Sequence, residues 1–258
     1  ETDIKDVPQS ISYASKELIA DQGAMRVGDV VKNFSGVNQH SFYDDLTIRG
    51  FRVNGQQNTQ LLNGLRTSTG FWKQSLANYL ERVEVLKGPS SALFGNASPG
   101  GVVNRVTKKP LDEARRSINL SLGSFDTFRA LADFTGPATK DGTLLYRVNL
   151  GYENAQTFRD LMFDKTLVIA PSLTFLASEK TSINFDLVYT DSKSRLDRGQ
   201  PIFGSNDLNS TPQSLSLNTA NDYLNELTYN ASLSLNHKIN DQLSFNTSYL
   251  KTGYSESL

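Results

Sequence analysis

Five charged residues sit where a buried run would be expected. In residues 81–110, ERVEVLKGPSSALFGNASPGGVVNRVTKKP, Glu81, Arg82, Glu84, Lys87 and Arg105 lie among apolar neighbours. Buried charges need partners. The stretch is therefore either an ion-paired structural core or the wall of a polar cavity. Asp44 and Asp45 are adjacent carboxylates, but no partner cluster surrounds them in sequence, which suits a loop and strand start. His40 stands beside Phe42 and Tyr43 and could touch a ligand; an exposed loop histidine explains it better. Gly88 and Gly95 could suggest a phosphate loop, but the Lys-Ser/Thr placement is missing, so they read as turn glycines. No Ser/His/Asp grouping or paired-carboxylate motif stands out, and catalysis has little support.

Composition narrows the classes further. The chain has 258 residues, a net charge of -1 and no cysteine. Disulfides and thiolate metal sites are excluded, and two distant histidines, His40 and His237, do not suggest a metal centre. Lys and Arg form no long run, so a nucleic-acid partner is not indicated. No stretch reaches the roughly 18 apolar residues of a membrane helix. A transmembrane β-strand needs only about 9–11 alternating residues, so a membrane barrel stays open. No signal peptide begins at Glu1, so an exported protein would be present as a mature or shortened form.

The elements that position these residues fall into two parts. Residues 1–110 mix short helices and strands. Ile11 and Tyr13 alternate with serines as a strand. Ser15 can cap a helix that runs to Gln22 and stops at Gly23. Val27, Val30, Val31 and Phe34 make one helical face, ended at Gly36. Residues 38–45 read as a loop, 46–51 as a strand, and 61–65 as a hairpin with a type I′ turn at Asn63-Gly64. Residues 67–75 form a loop carrying Phe71 and Trp72, and Ser75 can cap a helix over 76–80. Val83 and Val85 mark a strand. Pro89 opens a short turn that Ser90 and Ser91 can cap and Gly95 and Asn96 can end. Pro99-Gly100-Gly101 turns into a last strand from Val102.

Residues 111–258 alternate with period two. Seven faces follow one another, from Ile118, Leu120 and Leu122 to Leu243, Phe245 and Tyr249. Short turns at 136–142, 177–180 and 237–242 contrast with longer loops at 154–165 and 192–222. A soluble antiparallel sandwich also alternates. Arg, Asn, Asp and Glu on the polar face and the length of the strands favour a membrane barrel with a wet lumen. Tyr152, Tyr189, Tyr223 and Tyr249 suit interfacial girdles. Seven strands cannot close around a domain of about 110 residues, because plugged barrels use about 22. The chain is expected to be the front part of a longer protein.

ERVEVLKGPSSALFG followed by SPGGVVNRVTKKP resembles the plug signature of TonB-dependent siderophore receptors of the bacterial outer membrane. VPQSIS at 7–12, TIRGF at 47–51 and LLNGLR at 61–66 agree in order. The resemblance implies an α+β plug domain in residues 1–110, followed in 111–258 by the first seven or so antiparallel strands of a transmembrane β-barrel. It implies import of a ferric siderophore, of hydroxamate type in the ferrichrome-like branch. TonB with its inner-membrane complex would supply the energy, and the bilayer would surround the barrel. Iron would arrive chelated, with no resident cofactor or protein metal ligands. Gly55 and Gln56 match that branch's Gly-Gln pair and Trp72 its aromatic contact. Tyr43, Phe42, Arg66 and Phe71 join them by loop membership. Arg49 and Lys87 match the basic members of a plug–barrel lock, with Lys87 where the family has Arg. Their acidic partners would lie beyond Leu258, unless Glu81 or Glu84 pairs with them inside the plug. A TonB box is not recognisable in residues 1–8. The alternatives are an importer of another cargo, such as cobalamin or a sugar, and a passive porin.

Overall fold

The computed structural model describes residues 9–53, 60–67, 72, 74–89, 94, 97–204, 207 and 209–258. The first part is built on a five-stranded sheet. Its order is β1 (Ser10–Ser15), β7 (Leu80–Lys87), β8 (Gly101–Thr107), β5 (Gln60–Leu62) and β6 (Leu65–Arg66). Neighbours are antiparallel except β5, which runs parallel to β8. A second sheet joins β2 (Val37–Gln39), β3 (Leu46–Ile48) and β4 (Phe51–Val53). Two short helices, α1 (Lys16–Asp21) and α2 (Val27–Val31), pack on this part. Val83, Val85 and Val103 of the main sheet bury against Val30, Val31, Ile48 and Val53. Burying such side chains contributes about 1.5–3 kcal/mol each, which gives this small domain its core.

Local chemistry explains the boundaries. Ser15 Oγ accepts from the Leu18 N–H at 3.4 Å and caps α1, and Gly23 at φ +58° follows its end. Asn63 and Gly64 take φ +51° and +80°, the expected type I′ hairpin. Three expectations change. Residues 46–51 are not one strand: Arg49 and Gly50 take φ +51° and +84° and fold the run into the β3–β4 hairpin. Val37–Gln39 is a strand rather than loop because β3 supplies its hydrogen bonds. Residues 76–80 form no helix. Leu76 bridges Arg26 and the Ala77 N–H bonds the Met25 carbonyl, so tertiary pairing overrides a weak local preference. Most of the expected turn after Pro89, at residues 90–93, 95 and 96, lies outside the described residues.

Gly101 cannot be replaced cheaply. It sits at φ +138°, and a Cβ there would lie 2.1 Å from the Leu86 carbonyl oxygen. Gly101→Ala should therefore destabilise the first domain by about 2–3 kcal/mol, read as a shift in its denaturation midpoint. An unchanged midpoint would mean that the β7–β8 contact relaxes freely.

The second part is one meander: β9 (Arg115–Gly123), β10 (Thr127–Pro137), β11 (Leu144–Gln156), β12 (Phe163–Ser178), β13 (Thr181–Ser194), β14 (Leu224–Lys238) and β15 (Ser244–Ser257). Each strand pairs with the next, and β9 and β15 are the edges. Connections of 138–143, 179–180 and 239–243 lie at one end; 124–126, 157–162 and 195–223 lie at the other. Ile118, Leu120, Phe185 and Leu233 face outward and are exposed, with Tyr146, Val148 and Leu187 half-buried on the same face. Arg147, Asn149, Glu153, Asp186 and Glu226 face inward and are buried. Apolar side chains outside and polar ones inside invert a soluble sandwich and suit a wall whose outer face meets hydrocarbon. No helix among the described residues is long and apolar enough to cross a membrane.

Candidate functional site

Two loops of the first domain meet the longest loop of the wall, residues 195–223. The Tyr43 ring meets the Trp72 indole edge-on, with centroids 5.5 Å apart and planes at 89°. The Arg198 guanidinium lies over Trp72 at 4.8 Å. The Tyr43 hydroxyl donates to the Asp197 carbonyl, while the Asp197 carboxylate pairs with Arg159 at 3.1 Å. Burial, with the Asp197 charge second, pushes Tyr43 up to about 12. It stays a neutral donor throughout the physiological range. Gln74 donates to the Phe42 carbonyl and ties the two first-domain loops together. The cluster combines aromatic faces and a cation held in place by hydrogen bonds, groups that can grip a flat, oxygen-rich ligand.

Of the residues proposed from sequence for the ligand, Tyr43 and Trp72 come together here. Arg66 donates instead to the Phe94 carbonyl within its own domain. Phe42 is exposed. His40 is a surface residue whose backbone N–H bonds the Asp45 carbonyl. Gly55, Gln56 and Phe71 lie outside the described residues. Sequence reasoning missed Asp197, Arg198 and Arg159. Their only signal was membership of the long loops.

Arg49 and Lys87 are brought near one another. Arg49 reaches beside Gly88, its Nη1 3.2 Å from where a Cβ on that glycine would be. Lys87 Nζ donates to Ser35 Oγ at 3.3 Å. Arg49 is exposed and Lys87 partly so. Glu81 and Glu84 are engaged elsewhere: Glu81 takes Lys16 at 2.5 Å, and Glu84 accepts from Arg82 at 2.6 Å and from Asn104 at 2.7 Å.

Other charges join the domain to the wall. Glu153, 1% exposed, receives Arg26 of the first domain and Arg129 of the neighbouring strand, with Asp164 3.7 Å from Arg26. Asp133 receives Lys108 at 3.0 Å and Arg147 at 2.7 Å, and Arg147 also donates to the Lys109 carbonyl. Asp186 receives Lys109 at 2.5 Å and Ser172 Oγ at 2.8 Å. Thus three inward carboxylates of β10, β11 and β13 each hold a cation: Glu153 takes Arg26 of the first domain, and Asp133 and Asp186 take Lys108 and Lys109 of the segment that joins β8 to β9. The buried charges are matched across the boundary, which is what makes burying them tolerable.

The remaining charges of the first domain are structural. Arg52 and Asp45 form a bidentate pair at 2.7–3.0 Å. Asp44 is buried; its Oδ2 accepts the Ser75 N–H at 2.8 Å, and burial holds its carboxyl above the usual range. Arg105 is buried beside it and donates to Ser75 and Thr67. Among the described residues, no group of three or more His, Cys, Asp or Glu side chains could hold a metal ion.

The family model of the TonB-dependent Receptor Plug Domain matches residues 3–102. The Metal-pseudopaline receptor CntO of Pseudomonas aeruginosa is 31% identical over 98% of this chain. The Ferrichrome outer membrane transporter/phage receptor of Escherichia coli is 32% identical over 72% of it. The chain spans 36% and 26% of those relatives, about a third of their length. The fold of the Ferric-Catecholate import receptor Fiu from Escherichia coli matches 98% of this chain and 40% of its own, with a TM-score of 0.87 and 23% identity. The pyoverdine outer membrane receptor FpvA of Pseudomonas aeruginosa matches 96% of this chain and 38% of its own, at 0.86 and 25% identity.

Proposed function

Since this chain belongs to the TonB-dependent receptors of the bacterial outer membrane, with their plug and the first strands of their barrel, we propose that the full protein binds a metal-loaded siderophore from outside and imports it with energy from TonB. The Tyr43–Trp72–Arg198 cluster, at the plug tip and under the longest loop, carries this reading. The metal is cargo, held by its chelator, so the protein needs no metal ligands and no resident cofactor. Binding and gating, not catalysis, are its work, and its relatives are named as receptors and transporters.

A hydroxamate of the ferrichrome type fits the motifs of the plug, and Trp72 is the described residue proposed to meet it. A second chelate class has its own support: the relative similar over 98% of the chain is a metal-pseudopaline receptor. Titrating the purified full receptor with ferrichrome, ferrioxamine, pyoverdine and metal-loaded pseudopaline separates the two. Saturable binding of one metal-loaded chelate supports the proposal. Binding of none, with cobalamin or a sugar bound instead, overturns it.

Arg49 and Lys87 are proposed to face carboxylates of strands beyond Leu258. Burying either charge without a partner would be too costly. Replacing both by Ala should loosen the plug and raise its cleavage by added protease in intact membranes. An unchanged cleavage rate would count against a second lock.

A further inference from the structure

One stretch of the plug carries both the ligand-side indole and the joint to the wall. Trp72 is followed by residues 74–77, which lead into β7. This stretch is laced to the chain ahead of α2. The Val27 N–H donates to the Ser75 carbonyl at 3.1 Å, and the Ala77 N–H donates to the Met25 carbonyl at 3.0 Å. Arg26 sits between those two bonds and bridges Leu76. Its Nη1 donates to the Gln74 carbonyl at 2.9 Å, two residues beyond Trp72. Its Nη2 meets Glu153 of β11, with Asp164 3.7 Å away. Asp29 Oδ2 accepts the Arg26 N–H at 3.3 Å and fixes its backbone at the start of α2. A single guanidinium thus holds the tip loop and the wall at once.

The tip loop passes this placement on. Gln74 Nε2 donates to the Phe42 carbonyl, and the Ser75 N–H donates to Asp44 Oδ2 at 2.8 Å. The loop carrying Tyr43 is thereby tied to the same backbone, and the Tyr43 ring meets Trp72. Across from this pair stand Asp197 and Arg198 of the wall's longest loop. The ligand site is therefore assembled from plug and wall together. A ligand that spans both needs them in register, and a displacement of about 1 Å is enough to spoil oriented contacts. The planar guanidinium fork sends two bonds in fixed, different directions, which a lysine ammonium on a flexible stem does not copy.

We propose that Arg26 is a positioning residue of the ligand site: by joining Glu153 to the Gln74 carbonyl, it sets Trp72 and Tyr43 at the level of the wall where Asp197 and Arg198 meet them. Arg26 acts through the loop and touches no ligand itself. The coupling is reciprocal. A chelate held between plug tip and long loop strengthens the Arg26 joint by the same factor by which the joint strengthens its binding. This inference rests on the ligand site of the import reading above.

The test measures equilibrium binding of ferrichrome and of metal-loaded pseudopaline to the purified full receptor. Arg26→Lys keeps a cation before Glu153 but gives up the fork. Its plug should stay close to the parent in protease resistance, while affinity for whichever probe the parent binds falls about fivefold. In the Trp72→Ala background the same change should cost less than about twofold, because the residue it positions is gone. Lys109→Met loosens the plug at Asp186 and has no bond to the tip loop among the described residues. At equal protease sensitivity it should weaken binding less than Arg26→Lys does. Parent affinity in Arg26→Lys overturns the positioning role. So does the full loss in the Trp72→Ala background, or an equal loss from Lys109→Met. A parent receptor that binds neither probe sinks the import reading itself; a parent that binds, with Arg26→Lys binding equally well, sinks only the role of Arg26.

Discussion

Glu153→Ala should unseat the plug. The substitution leaves Arg26 and Arg129, 15% and 13% exposed, facing each other with only Asp29 and Asp164 as nearby carboxylates among the described residues. Removing one member of a buried ionic group costs about 3–5 kcal/mol, because the stranded charge is desolvated without compensation. The loss falls on the boundary between the two domains rather than on either core. Glu153 is a wall residue and Arg26 a plug residue, so barrel assembly should survive while plug protease resistance drops. Limited proteolysis of the folded receptor in detergent reads this directly. Glu153→Gln is the companion variant, since it keeps volume and one acceptor but removes the charge. If both variants resist protease as the parent does, the contact contributes nothing and the plug is held by shape alone. Arg26→Met should reproduce the effect from the other side. It would be milder, because Arg129 still neutralises Glu153.

Trp72→Ala should weaken chelate binding by about 1–3 kcal/mol, the scale of a strong aromatic contact residue. The indole presents a flat face, and Tyr43 against one edge and Arg198 over it fix its orientation. A pre-oriented aromatic gives up little entropy when the ligand arrives. The residue lies outside the β7–β8 core, so plug stability should barely change. It is also the only tryptophan of this sequence. Once tryptophans of the remaining barrel are replaced, a bound ferric chelate should quench its fluorescence. Normal affinity in Trp72→Ala, with no quenching in the parent, would make Trp72 a packing residue between plug and loop.

The residues that were legible in the sequence are those whose meaning is local. The Asn63-Gly64 turn, the Ser15 cap and the outward Ile118 and Leu120 each follow from a few neighbouring residues. The alternation of 111–258 was enough to orient whole strands, because one register puts every apolar side chain on the same face. What failed was set at a distance. Leu76–Leu80 looked helical by itself, but Arg26 and Met25 claim its backbone. The Arg49-Gly50 turn was hidden inside a run that also reads as one strand. The joints between plug and wall could not be read at all. Arg26 and Glu153 are 127 residues apart, and Lys109 and Asp186 are 77 apart. Nothing in either neighbourhood names the other. The motif-based lock candidates, Arg49 and Lys87, stand at a different part of the plug from these three carboxylates. The plug thus has fastening residues that motif comparison did not indicate.

Energised import of a metal chelate is read by its accumulation in cells. Cells carrying the full receptor would be given the radiolabelled chelate that binds best, with TonB present or deleted, and with or without a proton gradient. Surface binding is expected in every case, and accumulation inside the outer membrane only when TonB and the gradient are both present. Equal accumulation without TonB would show an open pore instead and rule out energised import.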